Sequence, residues 1–365
     1  MNPTHLIVGN SRDYHAAAVR WALGRMGQEA IIWDGISAET AGQLTVDFHG
    51  LGRLRLGERE LGWFQSVWFR RQIPFKEADD IHPDARGFIQ QELADAHLSL
   101  CASVEAMSEF VVGGERTRRA GSKAHQLRVA AELGFTVPRT LISNHYEDVR
   151  RFAQETDRLL VKHFAPHYFI SRSSGAVRAV GPSIVSPCDL SAEKVEACPC
   201  IYQQYIEKKF ELRVTVIGDR MYTAKLSSSA GELLDWRPAY GSEQLDVEPF
   251  ALDAATAARI STLMGRLGLH YGCIDLAIDR SDEVVFFEIN PGGQFLFIEE
   301  KVRQFPLLYA FASMLSAQSP SFCLDENVGA SINMDEFEAS HEFEEWKSAY
   351  ESNASRNPKF VTFVQ

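Results

Sequence analysis

Two late segments carry the residue types that could do chemistry. In CIDLAI (273–278), alternation along an extended chain puts Ile274, Leu276 and Ile278 on one face and Asp275 on the other. In VVFFEIN (284–290), the same alternation puts Glu288 and Asn290 on one face, with Phe287 and Ile289 pointing the other way. Neighbouring strands would bring Asp275, Glu288 and Asn290 onto one surface of a largely apolar sheet. Two buried carboxylates without a partner are costly, and a hard cation removes that cost. Two carboxylates and an amide oxygen suit Mg²⁺, which takes oxygen ligands and shares them with substrate phosphates. Pro291-Gly292-Gly293 follows at once and lets the backbone approach a ligand closely. The plainer alternative is that these polar residues sit at strand ends near solvent.

Phosphates would also need cations. Lys162 lies in the apolar run LLVKH, and Lys123 lies near a helix start in GSKAHQLR. In ELRVTVI, Arg213 shares a strand face with Glu211 and Thr215, while Leu212, Val214 and Val216 face away. Each has an ordinary alternative as well: a helix lysine is usually solvated, and a hairpin arginine usually pairs with a nearby acid.

The elements around these residues follow from pattern. Strand 4–8, helix 14–26 and strand 30–33 predict a small parallel sheet at the start of the chain. Residues 44–56 predict a hairpin turning near Gly50 and Gly52, Ser66–Arg71 a strand, and 84–106 a helix. A long helix is expected over Arg118–Leu133, then a strand over 137–142, a helix over 146–154 and a strand over 159–163. Residues 166–180 predict a hairpin with a mobile Ser-rich tip, and 201–206 a strand. Glu211–Ile217 and Arg220–Leu226 form a hairpin about Gly218-Asp219. Helices are expected over 252–267 and 302–315. From Asp325 to Glu351 there are nine acids against Lys347 alone, which predicts a solvated tail or a loosely docked helix, with disorder the alternative.

At 365 residues the chain suits two or three domains. A net charge of -12 argues against a nucleic-acid partner, although it leaves room for a local basic pocket. No apolar run is long enough to span a membrane, and no cationic segment followed by an apolar stretch opens the chain. Six sparse cysteines fit reduced thiols in a cytoplasm, with Cys198 and Cys200 structural rather than a metal pair.

The order of the motifs says more than any one of them. A helix lysine, a strand lysine, an apolar strand, an ExR strand, then Asp and ExN on late strands resembles the α/β ATP-grasp superfamily. The segments VWFRR, KAHQLRVAAELGFTVPRTLIS, QQYIEKKFELRVTVIGDRMYTAKL, DWR and YGCIDLAIDR…FFEINPGGQ are similar to those of the ATP-grasp ligases that mature ribosomally made peptides, the microviridin or graspetide type. The resemblance runs from about residue 60 to 315. It departs from the family pattern at Phe110–Gly114, where an aromatic–Asn–Pro segment is usual, and in the acidic tail.

That resemblance implies roles. Lys123 and Lys162 would contact ATP phosphates. Gln203, Gln204, Tyr205 and Ile206 would form the hinge strand whose backbone reads the adenine edge, with Glu211 beside the ribose. Arg213 would neutralise the γ-phosphate and the developing acyl phosphate, and Asp275, Glu288 and Asn290 would hold magnesium. Arg237 would contact the acyl phosphate or the substrate carboxylate, or else pair with Asp235 or Glu243. The 167–175 hairpin would close over the triphosphate. The implied organisation is an N-terminal α/β domain (1–118), a central ATP-grasp subdomain (119–197), a C-terminal ATP-grasp subdomain (198–320) and a tail (321–365). The implied partner is a precursor peptide of leader plus core, and a homodimer is expected because related enzymes are often dimers. The implied reaction activates Asp or Glu side-chain carboxylates and closes ester or amide rings. Alternatives are a ligase adding free amino acids to a peptide or protein C-terminus, an inactive nucleotide-binding scaffold, or a small-molecule kinase.

Overall fold

The structure, a computed structural model, describes residues 5–35, 44–47, 53–56, 59–61, 63–70, 81–164, 167–170, 177–228 and 245–356. The expected opening is present as β1 (His5–Val8), α1 (Tyr14–Arg25) and β2 (Ala30–Trp33). The Asp13 carboxylate caps α1 by accepting from the Ala16 N–H at 3.1 Å. Strands β3 (Leu44–Asp47), β4 (Arg53–Leu56) and β5 (Arg59–Leu61) form a separate antiparallel sheet. The turn of the expected 44–56 hairpin lies outside the described residues. Then come β6 (Phe64–Phe69), α2 (Arg86–Ala106) and β7 (Ser108–Val112). The order β2-β1-β6-β7 is parallel throughout; the opening strand–helix–strand pattern predicted the β1–β2 part, and β7 is a strand that the sequence pattern did not predict.

The long helix expected over Arg118–Leu133 is two helices, α3 (Glu115–Arg118) and α4 (Lys123–Glu132). Gly121 and Ser122 break it: the first costs backbone entropy in a helix, and the second sits extended as the cap of α4. Lys123 is thereby placed on the first turn. The next elements are β8 (Thr140–Ser143), α5 (Tyr146–Gln154), β9 (Leu159–Lys162), the hairpin strands β10 (His167–Ile170) and β11 (Val177–Val180), β12 (Ser183–Val185), α6 (Ala192–Glu196) and β13 (Cys200–Gln204). The hairpin is antiparallel as expected, and its Ser-rich tip lies outside the described residues. Strands β12-β9-β13-β8 make an antiparallel sheet. One face packs Leu159 and Tyr202 on Val149 and Phe152 of α5. The register sets Leu160, Lys162, Ile201 and Gln203 on the other face.

The third sheet joins β14 (Lys208–Ile217), β15 (Arg220–Ser228), β16 (Leu245–Pro249), β17 (Tyr271–Asp279) and β18 (Val284–Asn290), with α7 (Ala254–Leu267) between β16 and β17. Its order is β16-β15-β14-β17-β18, all antiparallel. One face buries Leu212, Val214, Val216, Ile274, Leu276 and Phe286 against α4 and α7. The opposite face is apolar only at one end, where Ile217 and Tyr271 join α1, Trp68 and the late helices in a second core. Its other end carries the polar residues described below.

The helix expected over 302–315 starts five residues late, as α9 (Leu307–Ala317), because Pro306 caps its start, and a separate short helix, α8 (Leu296–Lys301), precedes it. The acidic tail differs from expectation. It forms α10 (Glu326–Gly329), α11 (Met334–Glu338) and α12 (His341–Arg356), and it is docked. Ile332, Met334 and Phe337 are at most 1% exposed, buried with α1, α8 and α9, while Glu342, Glu344 and Glu345 face solvent. Charge counting missed this because a few apolar residues on one side of short helices suffice to dock them. The docking also has a polar anchor. Glu299 is 2% exposed and accepts from the Leu308 N–H at 2.7 Å and the Met334 N–H at 3.1 Å, so one carboxylate serves the starts of α9 and α11. Among the described residues no helix is long and apolar enough to cross a membrane.

Two outcomes follow. Phe337→Ala empties a fully buried aromatic site and is expected to lower unfolding free energy by about 3–5 kcal/mol in a urea titration. Burial pushes the Glu299 carboxyl up from 4.5 to about 7, against the pull of its backbone donors. A raised folded-state value means the contribution of Glu299 to stability is full below about 4.5 and is lost as pH rises through about 7. Glu299→Gln, which cannot ionise, is expected to flatten the dependence of unfolding temperature on pH across that window.

Candidate active site

Three neighbouring strands bring the polar residues together. Arg213 on β14 stands opposite Asp275 on β17, and Asp275 stands opposite Glu288 on β18. Directly opposite residues share a face, so all three lie on one surface, with Asn290 two residues along β18 and opposite Cys273. Asp275 is 5% exposed within a strand buried almost throughout, where an unpaired carboxylate would cost several kcal/mol. Arg213 meets that cost. Its guanidinium donates to the Asp275 carboxylate at 2.6 Å and to the Gln294 carbonyl at 3.0 Å. Burial opposes the Arg213 charge most strongly, but the Asp275 carboxylate, together with Cys273 and Tyr271 beside it, holds the guanidinium above its usual range.

Glu288 has a different partner. Lys123 Nζ lies 3.2 Å from the Glu288 carboxylate and also donates to the His163 carbonyl at 3.4 Å. Residue 126, one helical turn further along α4, explains why the pair meets. Gln126 donates to the Ile289 carbonyl at 2.7 Å and accepts from the Ile289 N–H at 3.1 Å. It satisfies the open edge of β18 as a neighbouring strand would, and Thr136 does the same for Phe286 at 2.8 Å. This docks α4 along β18 and aims Lys123 at Glu288.

The central sheet supplies the facing surface. Lys162 donates to the Gln203 side chain at 2.7 Å, and Gln203 donates in turn to Thr140 at 2.9 Å. Lys162 Nζ lies 5.4 Å from the Phe287 ring, so the polar faces of the two sheets oppose each other. Burial lowers the Lys162 pKa, Glu288 pulls it back, and Lys123 pushes it down further. Glu211 pairs with Lys208, both less than one-tenth exposed.

Most sequence-derived candidates therefore converge: Lys123, Lys162, Gln203, Glu211, Arg213, Asp275 and Glu288, with Asn290 beside them. Gln203 uses its side chain, where only its backbone was expected to act. The backbone N–H groups of Gln204 and Tyr205 are already committed, to the Arg139 and Arg158 carbonyls at 2.9 Å each. The strand ends at Gln204, so Tyr205 and Ile206 lead out of the sheet. Arg237, with Asp235 and Glu243, lies outside the described residues.

One expectation is corrected. Phe287 does not point away from the site. The register runs from Asp275 opposite Glu288 to Leu276 opposite Phe286, leaving Phe287 as the extra residue of a β-bulge. Strict alternation fails there, and the Phe287 ring lies within 6 Å of both Lys162 and Lys208. Lys208, Gln126 and Phe287 are thus site residues that pattern reading missed. Only Gln126 had a signal, standing three residues after Lys123 on one helix face.

The donor set fits magnesium. Two carboxylates and the Asn290 amide oxygen are hard oxygen donors, and Mg²⁺ fills its remaining positions with water and phosphate. Lys123 from α4, Lys162 from the central sheet and Arg213 from the facing sheet suit the phosphates. Among the described residues no three His, Cys, Asp or Glu side chains cluster as a metal site, and all six cysteines are free thiols.

The parallel sheet, the two facing antiparallel sheets and the lysine–arginine–carboxylate order give the chain the ATP-grasp fold, and solved structures share it. The macrocyclase MdnC of Microcystis aeruginosa MRC, solved with its precursor peptide MdnA, is 28% identical, with a TM-score of 0.74 over 87% of this chain and 100% of that one. The ATP-grasp ligase PsnB, solved with Mg, ADP and a minimal precursor, is 19% identical with a TM-score of 0.68 over 86% of this chain and 98% of its own. A peptide-associated ATP-grasp ligase of Chryseobacterium gregarium, solved with ADP and a leader and core peptide, is 23% identical with a TM-score of 0.76 over 89% and 100%. No protein-family model matches the chain, and no curated protein does.

Glu288 is the cleanest residue to test. Its side chain is 22% exposed and its lysine partner 27%, so losing this pair costs about 0–1 kcal/mol. Breaking the buried Arg213–Asp275 pair instead would cost about 3–5 kcal/mol and confuse folding with catalysis. Glu288→Gln is expected to lower turnover about 100-fold or more while unfolding temperature moves little; near-normal activity would remove Glu288 from the metal site.

Proposed function

We propose that this chain is an ATP- and magnesium-dependent ligase acting on a ribosomally made precursor peptide in the cytoplasm. It activates Asp or Glu side-chain carboxylates as acyl phosphates and closes them onto hydroxyl or amine side chains, giving ester or amide rings. The observation that carries this reading is the convergence of Lys123, Lys162 and Arg213 with Asp275, Glu288 and Asn290 on opposed sheet faces. The likeness to a macrocyclase solved with its precursor peptide supports the substrate class.

In this reading Lys123 and Lys162 hold the ATP phosphates. The segment Gln203 to Ile206 lies along the adenine edge, with Glu211 near the ribose. Asp275, Glu288 and Asn290 would hold magnesium, which when bound spreads the charge of the transferring phosphoryl group. A substrate carboxylate oxygen attacks the γ-phosphorus and ADP leaves. Arg213 neutralises the developing acyl phosphate, and Arg237 is assigned to the same group or to the incoming carboxylate. The peptide hydroxyl or amine then attacks the acyl carbon, loses its proton and expels phosphate. No protein nucleophile is required, so positioning and electrostatics supply the catalysis.

Mass spectrometry tests this with a short peptide from a neighbouring reading frame, rich in Thr, Ser or Lys and in Asp or Glu. With ATP and Mg²⁺ the peptide is expected to lose the mass of one water per ring. Addition of free amino acids would raise its mass, and phosphate retained on the product would indicate a kinase; either result overturns the macrocyclase reading.

A further inference from the structure

The turn that follows the metal-binding strand is gripped from outside its own sheet. Arg70, at the end of β6, is fully buried. Its guanidinium donates to the Gly292 carbonyl, reaches the Gly293 carbonyl at 3.4 Å, and donates through Nε to Asp13 at 3.2 Å. His15, two residues after Asp13, accepts with Nε2 from the Phe295 N–H at 3.0 Å and the Leu296 N–H at 3.3 Å. Accepting at Nε2 leaves the ring proton on Nδ1, which faces Asp13 Oδ1 at 4.0 Å. Residues from the first turn of the chain's first helix and from β6 thus hold both ends of the segment 292–296.

That segment touches the reacting groups. The Asn290 amide oxygen accepts from the Gly292 N–H at 3.0 Å, and Arg213 donates to the Gln294 carbonyl at 3.0 Å. Tyr271 donates to the Gly293 carbonyl at 2.6 Å from below. A side chain at Gly293 would meet Cys273 Sγ at 2.7 Å and Arg213 at 3.1 Å, so the turn is pressed against the sheet without room for a Cβ. The other side of the helix start is wedged too. Tyr14 donates to Glu338 at 2.5 Å and packs its ring 5.3 Å from that of Trp346. Arg70 keeps one buried nitrogen, Nη2, without a partner among the described residues. A buried unsatisfied donor is tolerated where the remaining geometry is fixed by something else.

We propose that Asp13, His15 and Arg70 are positioning residues: a clamp that sets the turn after Asn290, and through it the aim of the Asn290 oxygen and of Arg213. The role rests on the ligase reading above, yet it has a readout that needs no peptide. Arg70 orients Gly292, Gly292 orients Asn290, and Asn290 contributes to magnesium, so the clamp controls how much Mg²⁺ strengthens ADP binding. A lysine at position 70 keeps the charge but cannot serve Asp13 and two carbonyls together.

Calorimetry with ADP, with and without Mg²⁺, tests the clamp in the full chain. In Arg70→Lys, the gain in ADP affinity on adding Mg²⁺ is expected to fall about fivefold or more, with Mg²⁺-free affinity within about twofold of the parent. Asp13→Asn, which loosens Arg70 without removing it, is expected to shift the same quantity less, and the double variant to be no worse than Arg70→Lys alone. Turnover should fall about tenfold or more with the KM for ATP little changed. An unaltered Mg²⁺-dependent gain in both folded single variants would overturn the clamp. If the parent chain processes no peptide, the ligase reading falls while the ADP measurement still decides the clamp.

Discussion

Asp275 and Glu288 face each other across adjacent strands, and the site is built around keeping two such carboxylates in a largely buried sheet. Like charges that close destabilise one another, and burial deepens the penalty. The structure answers with separate counter-charges: Arg213 from the next strand for Asp275, and Lys123 from a helix for Glu288. Under the proposed function, the same pairing prepares the site for a metal and a triphosphate. A divalent cation supplies the positive charge the carboxylates need, and phosphates supply the negative charge the lysine and arginine need. In that reading one set of ion pairs exchanges for another with little change in total charge.

That exchange depends on placement by parts of the chain far apart in sequence. The edge of β18 is closed by a glutamine side chain and a threonine carbonyl, not by another strand, and this is what brings a helix lysine to a strand glutamate 165 positions later. The bulge at Phe287 adds an aromatic ring within 6 Å of Lys162 and Lys208. The ring's negative face offsets part of the lysines' mutual repulsion without adding a charge. The tail contributes from outside, since Met334 and Phe337 extend the core beneath α1, whose first turn leads to the site.

Much of this was legible in the residue pattern. Alternation in the two late strands predicted that Asp275, Glu288 and Asn290 share a face, and the pairing register agrees. The ELR spacing predicted Arg213 on a face with Glu211, and both converge on the site. Periodicity erred where one residue breaks a repeat. Gly121 interrupted one expected helix, and Pro306 delayed the start of another. The tail misled for another reason: nine acids describe the solvent side of short helices, and a composition count does not see three apolar residues on the other side.

By itself, then, the sequence determined the strands, their polar faces and the oxygen-donor chemistry, because strand alternation and residue type are local properties. The tertiary structure alone decided which cation meets which carboxylate. It also decided that Phe287 turns inward at a bulge and that Arg70 grips the turn after Asn290. Those contacts join segments tens to hundreds of residues apart, and their geometry follows from register and packing, which no local pattern encodes.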